Sequence, residues 1–151
     1  PRGSLEVRAP PLKDYAALAK IAIAESSKIF AIVPPDIPEY ADLKVFRDQV
    51  VAIENDPAEF EKVGSQDANY VALARAAIAN DPNTFRRVLQ TFAAYDELKT
   101  FRDQVVAITK DVNAFSKIRQ DVPGYFRLLG LQSRVARRVA REQRGARRAA
   151  E

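Results

Sequence analysis

The sequence predicts an all-α fold of tandem helical hairpins, an α-solenoid of about nine or ten helices with no sheet. Three observations predict it. All five tyrosines, Tyr15, Tyr40, Tyr70, Tyr95 and Tyr125, are separated by 25, 30, 25 and 30 residues, and Leu18, Leu43, Leu73, Leu98 and Leu128 each follow three positions later. Phe30 and Phe85 lie 15 residues after their tyrosines, while Phe60 and Phe115 lie 20 after theirs. No apolar alternation of period two persists over five residues, so no strand is expected. The unit is therefore a pair of unequal sub-repeats totalling 55 residues, present about two and a half times. Such periodicity reports architecture more than chemistry.

Taken in order, Pro1-Arg2-Gly3-Ser4 resembles the remnant of a cleaved tag, and the absence of methionine suits a fragment of a longer chain. The repeat domain is read as residues 5–130. Its first helix carries Tyr15, Leu18, Ala19, Ala22 and Ile23 on one face of a 3.6-residue period, and Tyr70, Leu73, Ala74, Ala77 and Ile78 repeat that face. The apolar and aromatic positions are expected to form the core. A short second helix, capped by Ser26 or Ser27, carries Phe30. Val33-Pro34-Pro35-Asp36-Ile37-Pro38 is expected to be an extended linker, because proline lacks a donor and constrains the residue before it.

The helix begun by Tyr40 contains Phe46 to Ile53, Phe-Arg-Asp-Gln-Val-Val-Ala-Ile, which recurs unchanged from Phe101 to Ile108. The shorter sub-repeats pass directly into Ala22-Ile23 or Ala77-Ile78. Five residues are thus added inside a helix, which rotates whatever follows by roughly 140° and makes the 55-residue pair the structural period. Asn55-Asp56-Pro57 and Asn80-Asp81-Pro82 place Asp at an N-cap and Pro at the first helical position. Glu59 completes an expected capping box with Asp56, and Asp111 is expected to cap the next hairpin. The short second helices pair Phe60 with Val63, Phe85 with Val88 and Phe115 with Ile118, each three apart. Asp121-Val122-Pro123-Gly124 reads as a turn or a new cap.

From residue 131 to 151 a basic amphipathic helix is predicted. Arg134, Arg137, Arg138, Arg141, Arg144 and Arg148 fall within an arc of about 120°, with Leu131, Val135, Val139 and Ala146 on the other side. Residues 1–130 hold 17 Lys and Arg against 18 Asp and Glu, and the last 21 residues hold seven Arg against two Glu, so all the basicity is terminal. This face is one candidate interaction surface. A second is repeated: Arg47 and Gln49 in one block, Arg102 and Gln104 in the other.

Composition excludes more than it assigns. With 151 residues and 47% apolar content the chain can bury a core. No apolar run approaches the roughly 18 residues of a membrane span, and no hydrophobic leader predicts general secretion. Zero Cys and zero His remove disulfides, thiolate nucleophiles, zinc-thiolate sites and the usual general base. No serine sits in a nucleophile elbow and no glycine loop cradles phosphate. The prominent carboxylates read as helix caps. The expectation is no catalytic residue, no metal and no cofactor.

Tyr-x-x-Leu-Ala-x-x-Ala-Ile-Ala followed by Asp-Pro-x-x-Phe resembles the short helical-hairpin repeats of unknown function in bacterial effector-like, giant-virus and protist proteins. Ile32-Val33-Pro34 matches their ending, while Val63-Gly64, Val88-Leu89 and Ile118-Arg119 lack its proline. The likeness covers residues 13 to 130 and implies an interaction scaffold. The arginine run also resembles the positively charged C-terminal signals of type IV secretion substrates. The expected role is a non-enzymatic scaffold that binds a protein partner. The alternatives are a nucleic-acid-binding module using the arginine helix, in which phosphates are neutralised without sequence readout, and a secreted effector fragment.

Overall fold

A computed structural model describes residues 12–150; Pro1 to Ser4, and so the tag reading, lie outside the described residues. The fold is all-α. Five α-helices alternate with four short 3-10 helices among the described residues: α1 (Leu12–Glu25), α2 (Tyr40–Asn55), α3 (Tyr70–Asn80), α4 (Tyr95–Lys110) and α5 (Tyr125–Ala150).

The tyrosine spacing has a simple geometric origin. Every α-helix is joined to the next by a connector of 14 residues, 26–39, 56–69, 81–94 and 111–124. The four connectors are near-copies. Each opens on an extended cap residue, with φ between −154 and −148° and ψ between 104 and 113°, and each contains one six-residue 3-10 helix. The bond from Val33, Val63, Val88 or Ile118 N–H to the carbonyl of Phe30, Phe60, Phe85 or Phe115 recurs at 2.9–3.0 Å. Each of those phenylalanines then meets the tyrosine ten residues on, with ring centroids 5.1, 5.0, 5.1 and 5.3 Å apart and planes tilted by 35–40°. Tilted pairs at this separation are favourable beyond their buried area. Only helix length varies: α3 has 11 residues and α2 and α4 have 16, the five-residue difference predicted from sequence.

The second helix of each hairpin is 3-10, not α. Val63, Val88 and Ile118 are the extended residues that end it, and each is spaced three from its phenylalanine because its N–H closes the last three-residue turn on that carbonyl. Asp56, Asp81 and Asp111 cap it, each carboxylate accepting at 3.0 Å from the backbone N–H two residues on. Two local expectations are corrected. Ser26 makes no side-chain cap bond. Glu59 does not reach back to the Asp56 amide, because that N–H already donates to the Ala52 carbonyl of α2 at 2.9 Å; Glu59 pairs instead with Lys62 at 2.8 Å, which raises the lysine pKa. The proline-rich stretch is also not an extended linker. It forms the same succession of turns as residues 63–69, with Pro38 inside a turn closed by Tyr40 N–H to the Ile37 carbonyl at 3.1 Å. Proline suits this place because its fixed φ fits the turn and its missing N–H is not called on.

Each α-helix packs on the next, and α3 also touches α1 and α5, so α3 is central. Its composition allows this: Tyr70, Leu73, Ala74, Ala76, Ala77, Ile78 and Ala79 are all buried, and alanine permits close approach from several sides. The Asn80 amide donates to the last carbonyls of α2, Ile53 at 3.2 Å and Glu54 at 2.9 Å, holding the ends of α2 and α3 together. The longer helices bury one stripe each, Leu43, Phe46, Val50 and Ile53 in α2 and Leu98, Phe101, Val105 and Ile108 in α4. Tyr70 lies between Phe60 and Phe92, the latter at 4.8 Å, and burial raises its phenol pKa.

Candidate interaction surfaces

The last connector ends differently from the others. Glu39, Asn69 and Ala94 precede their tyrosines with φ between −95 and −84°, whereas Gly124 has φ +82°. A Cβ there would fall 2.5 Å from Phe101 Cε1 and 3.2 Å from Arg75 Cδ. Only glycine fits both the backbone and the space. The helix it launches, α5, runs 26 residues without interruption, so residue 131, read from sequence as a boundary, lies inside it. Leu128, Leu131 and Val135 bury it against the core, Val139 is half-buried, and from Arg141 to Ala150 every residue is exposed. Ala146, expected on the packed side, is exposed with the rest.

The structure divides the predicted arginine face. Arg134, Arg138 and Arg141 surround the ends of α3 and α4, near Asn80 and Thr109. Arg134 and Arg137 also face the other way, onto a groove against α1. Arg144 and Arg148 lie on the projecting turns. Among these arginines one ion pair is formed, Arg138 with Glu142 at 3.8 Å.

The repeated surface is also divided. Arg47 stacks on Phe30 at 4.4 Å and bonds Asp48 at 2.7 Å; Arg102 stacks on Phe85 at 4.7 Å and bonds Asp103 at 2.8 Å. Gln49 lies on another side of the same helix and accepts from Asn69 at 3.5 Å. The Gln104 carbonyl oxygen is buried, in a cavity shared with Arg75, Val122 and Pro123. Each arginine thus meets the connector before its helix and each glutamine the connector after it. The identical eight-residue blocks join successive connectors.

Two groups that sequence reasoning passed over come forward. The first is Arg127, the third residue of α5. Its backbone N–H donates to Glu25 Oε2 at 3.1 Å, its Nε to the Ala24 carbonyl at 2.9 Å, and its Nη1 to Glu54 Oε2 at 2.6 Å, while Ser27 Oγ donates to Glu54 Oε1 at 2.6 Å. One arginine therefore caps the end of α1, pairs with the end of α2 and is itself the start of α5. Its signal was a lone arginine where the matching positions hold Ala17, Asp42, Ala72 and Glu97. Arg127→Met is expected to cost about 2 kcal/mol in a denaturant melt. That is less than the 3–5 kcal/mol for breaking a fully buried pair, because Glu54 keeps its serine bond and some water.

The second group is apolar. Leu18 and Ile21 of α1 are 59% and 63% exposed, Phe126 of α5 is 64% exposed, and with Ile29 and Leu129 they line a groove of about 900 Å³ between the two helices. Leu18 was expected in the core, where Leu43, Leu73, Leu98 and Leu128 do lie. It is exposed because no element among the described residues packs on that side of α1.

Comparison with known protein families, with characterised proteins and with solved structures found no match. Among the described residues there is no helix long and apolar enough to cross a membrane and no cluster of three metal-ligating side chains.

Proposed function

We propose that this chain is a non-enzymatic helical-repeat scaffold whose surface binds another protein. The observation that supports the reading is the groove between α1 and α5. Most of the large exposed hydrophobics among the described residues, Leu18, Ile21, Ile29, Phe126 and Leu129, gather there. Scattered exposed apolar side chains are ordinary; several in one concavity mark a surface for association.

A second reading is favoured by one different observation. The last ten described residues of α5 are exposed on every side and carry Arg141, Arg144, Arg147 and Arg148 against Glu142. A free basic helix of this kind suits phosphate neutralisation, with affinity that falls steeply as salt rises. One experiment separates the two readings. The variant carrying Arg138, Arg141, Arg144 and Arg148 as Gln is expected to keep its protein partner within twofold in affinity, and the partner is expected to survive 0.5 M salt. Loss of all binding in that variant assigns function to the tail and rejects the scaffold reading.

A further inference from the structure

The internal repeat says what kind of object fits the groove. Residues 55 apart are equivalent, so Leu18 and Ile21 of α1 correspond to Leu73 and Ala76 of α3. In α3 those positions are 0% and 2% exposed, on the central helix that packs on α1, α2, α4 and α5. In α1 they are open. Helical neighbours of α3, the α-helices and the 3-10 helices of the connectors on either side of it, bury these positions there, and in α1 a helix is a shape that would bury them. Its contact residues must be apolar and spaced at three and four, like the Leu43, Phe46, Val50 and Ile53 stripe with which α2 meets its neighbours.

The rim fixes the charge. Lys28 stands at one side of the groove and Arg134 and Arg137 at the other. The two carboxylates in the lining, Glu25 and Glu54, are already engaged by Arg127 and Ser27. The free charge is thus positive. Arg127, Arg134 and Arg137 line the same edge, and partial desolvation with these two neighbouring arginines lowers the Arg134 pKa against the opposing pull of Glu54, so a carboxylate placed there would meet positive charge. A second copy docking face to face would set Lys28, Arg134 and Arg137 against their own equivalents, which opposes self-association.

We propose that the α1–α5 groove binds an amphipathic helix of a partner protein, its apolar stripe on Leu18, Ile21, Phe126 and Leu129 and its acidic flanks on Lys28, Arg134 and Arg137. The inference rests on the scaffold reading and names the partner's chemistry.

The test uses the full chain and a labelled 18-residue synthetic helix with Leu at positions 4, 8, 11 and 15 and Glu on both flanks. Fluorescence anisotropy is expected to show saturable binding. Ile21→Glu and Phe126→Glu, both at exposed positions, should each weaken it at least tenfold while leaving the thermal melt unchanged. A peptide with Lys in place of every Glu should bind at least tenfold more weakly. The proposal is overturned if the acidic peptide does not bind, if either Glu variant binds it normally, or if the Lys peptide binds as well. It is also overturned if light scattering shows a dimer that Ile21→Glu dissociates, which assigns the groove to a second copy. Because the chain has no cysteine, a Leu5→Cys, Phe126→Cys double variant reports cleanly on a further occupant. An intramolecular cross-link between the two would assign the groove to the chain's own first residues and overturn the proposal. If the peptide fails while a protein partner survives the arginine-to-glutamine variant, the groove falls and the scaffold stands; if both fail, so does the scaffold.

Discussion

Phe60→Ala is expected to lower the unfolding free energy by about 3–5 kcal/mol, the range for removing a large aromatic from a site that cannot collapse around the cavity. Phe60 is 2% exposed, stacks on Tyr70, and sits in a connector packed against both α2 and α3. A 3-10 helix fixed by a proline, an aspartate cap and a closing bond from Val63 has little room to shift into the space. The sharper form of the prediction is comparative. Phe115 has the same place in the last connector and the same tyrosine contact, at 5.3 Å, but is only half-buried. Phe115→Ala should therefore cost less than half as much in the same urea titration. Equal losses would mean that the stacked pair matters and its position in the chain does not.

Deleting Arg47 to Val51 should have a larger effect still. The shortened helix would read Tyr-Ala-Asp-Leu-Lys-Val-Phe-Ala-Ile-Glu-Asn, which keeps Tyr, Leu, Ala, Ile and Asn at the places they hold in α3. Local propensity survives, and so does the cap at Asp56. What changes is phase: everything after the deletion turns by roughly 140° about the helix axis. Ile53 then leaves the stripe it shares with Leu43 and Phe46. Asn80 loses the two carbonyls it bonds, and Glu54 moves away from Arg127. Against a total stability of about 5–15 kcal/mol for a domain of ordinary kind, such a loss leaves no cooperative fold. The expected result is far-UV circular dichroism close to that of the parent chain with a broad, midpoint-free thermal transition. A sharp melt within a few degrees of the parent would show that the helices are interchangeable and would refute the phase argument.

Much of this architecture was legible before any coordinates. The tyrosine and phenylalanine spacings reported the α-helices and the five-residue difference between them, because a buried stripe cannot move without losing its partners. The aspartate caps were legible for a similar reason: Asp-Pro offers one acceptor and removes one donor where a helix needs both. Helix type was not. A phenylalanine followed three residues on by a branched apolar residue fits an α-helix as well as a 3-10 helix that ends on that residue, and the choice follows from the connector's closing bonds. The prolines at 34, 35 and 38 misled in the opposite direction, since proline forbids helix but permits both turn and extended chain. The groove was hidden because its residues look like core. Leu18 has the same sequence context as Leu73, and only the presence or absence of neighbouring helices separates an exposed position from a buried one. Arg127 was hidden because its partners Ala24 and Glu54 lie 103 and 73 residues away.

The invariance of the 14-residue connector bears on how such a chain changes over generations. Gain or loss of one whole 55-residue unit adds one short helix, one long helix and two connectors, and returns every later side chain to its former direction. Gain or loss of 25 or 30 residues does not. A step of 55 thus keeps each helix in phase with the next, while a unit inserted between α1 and α5 would part Arg127 from the ends of α1 and α2 and open the groove.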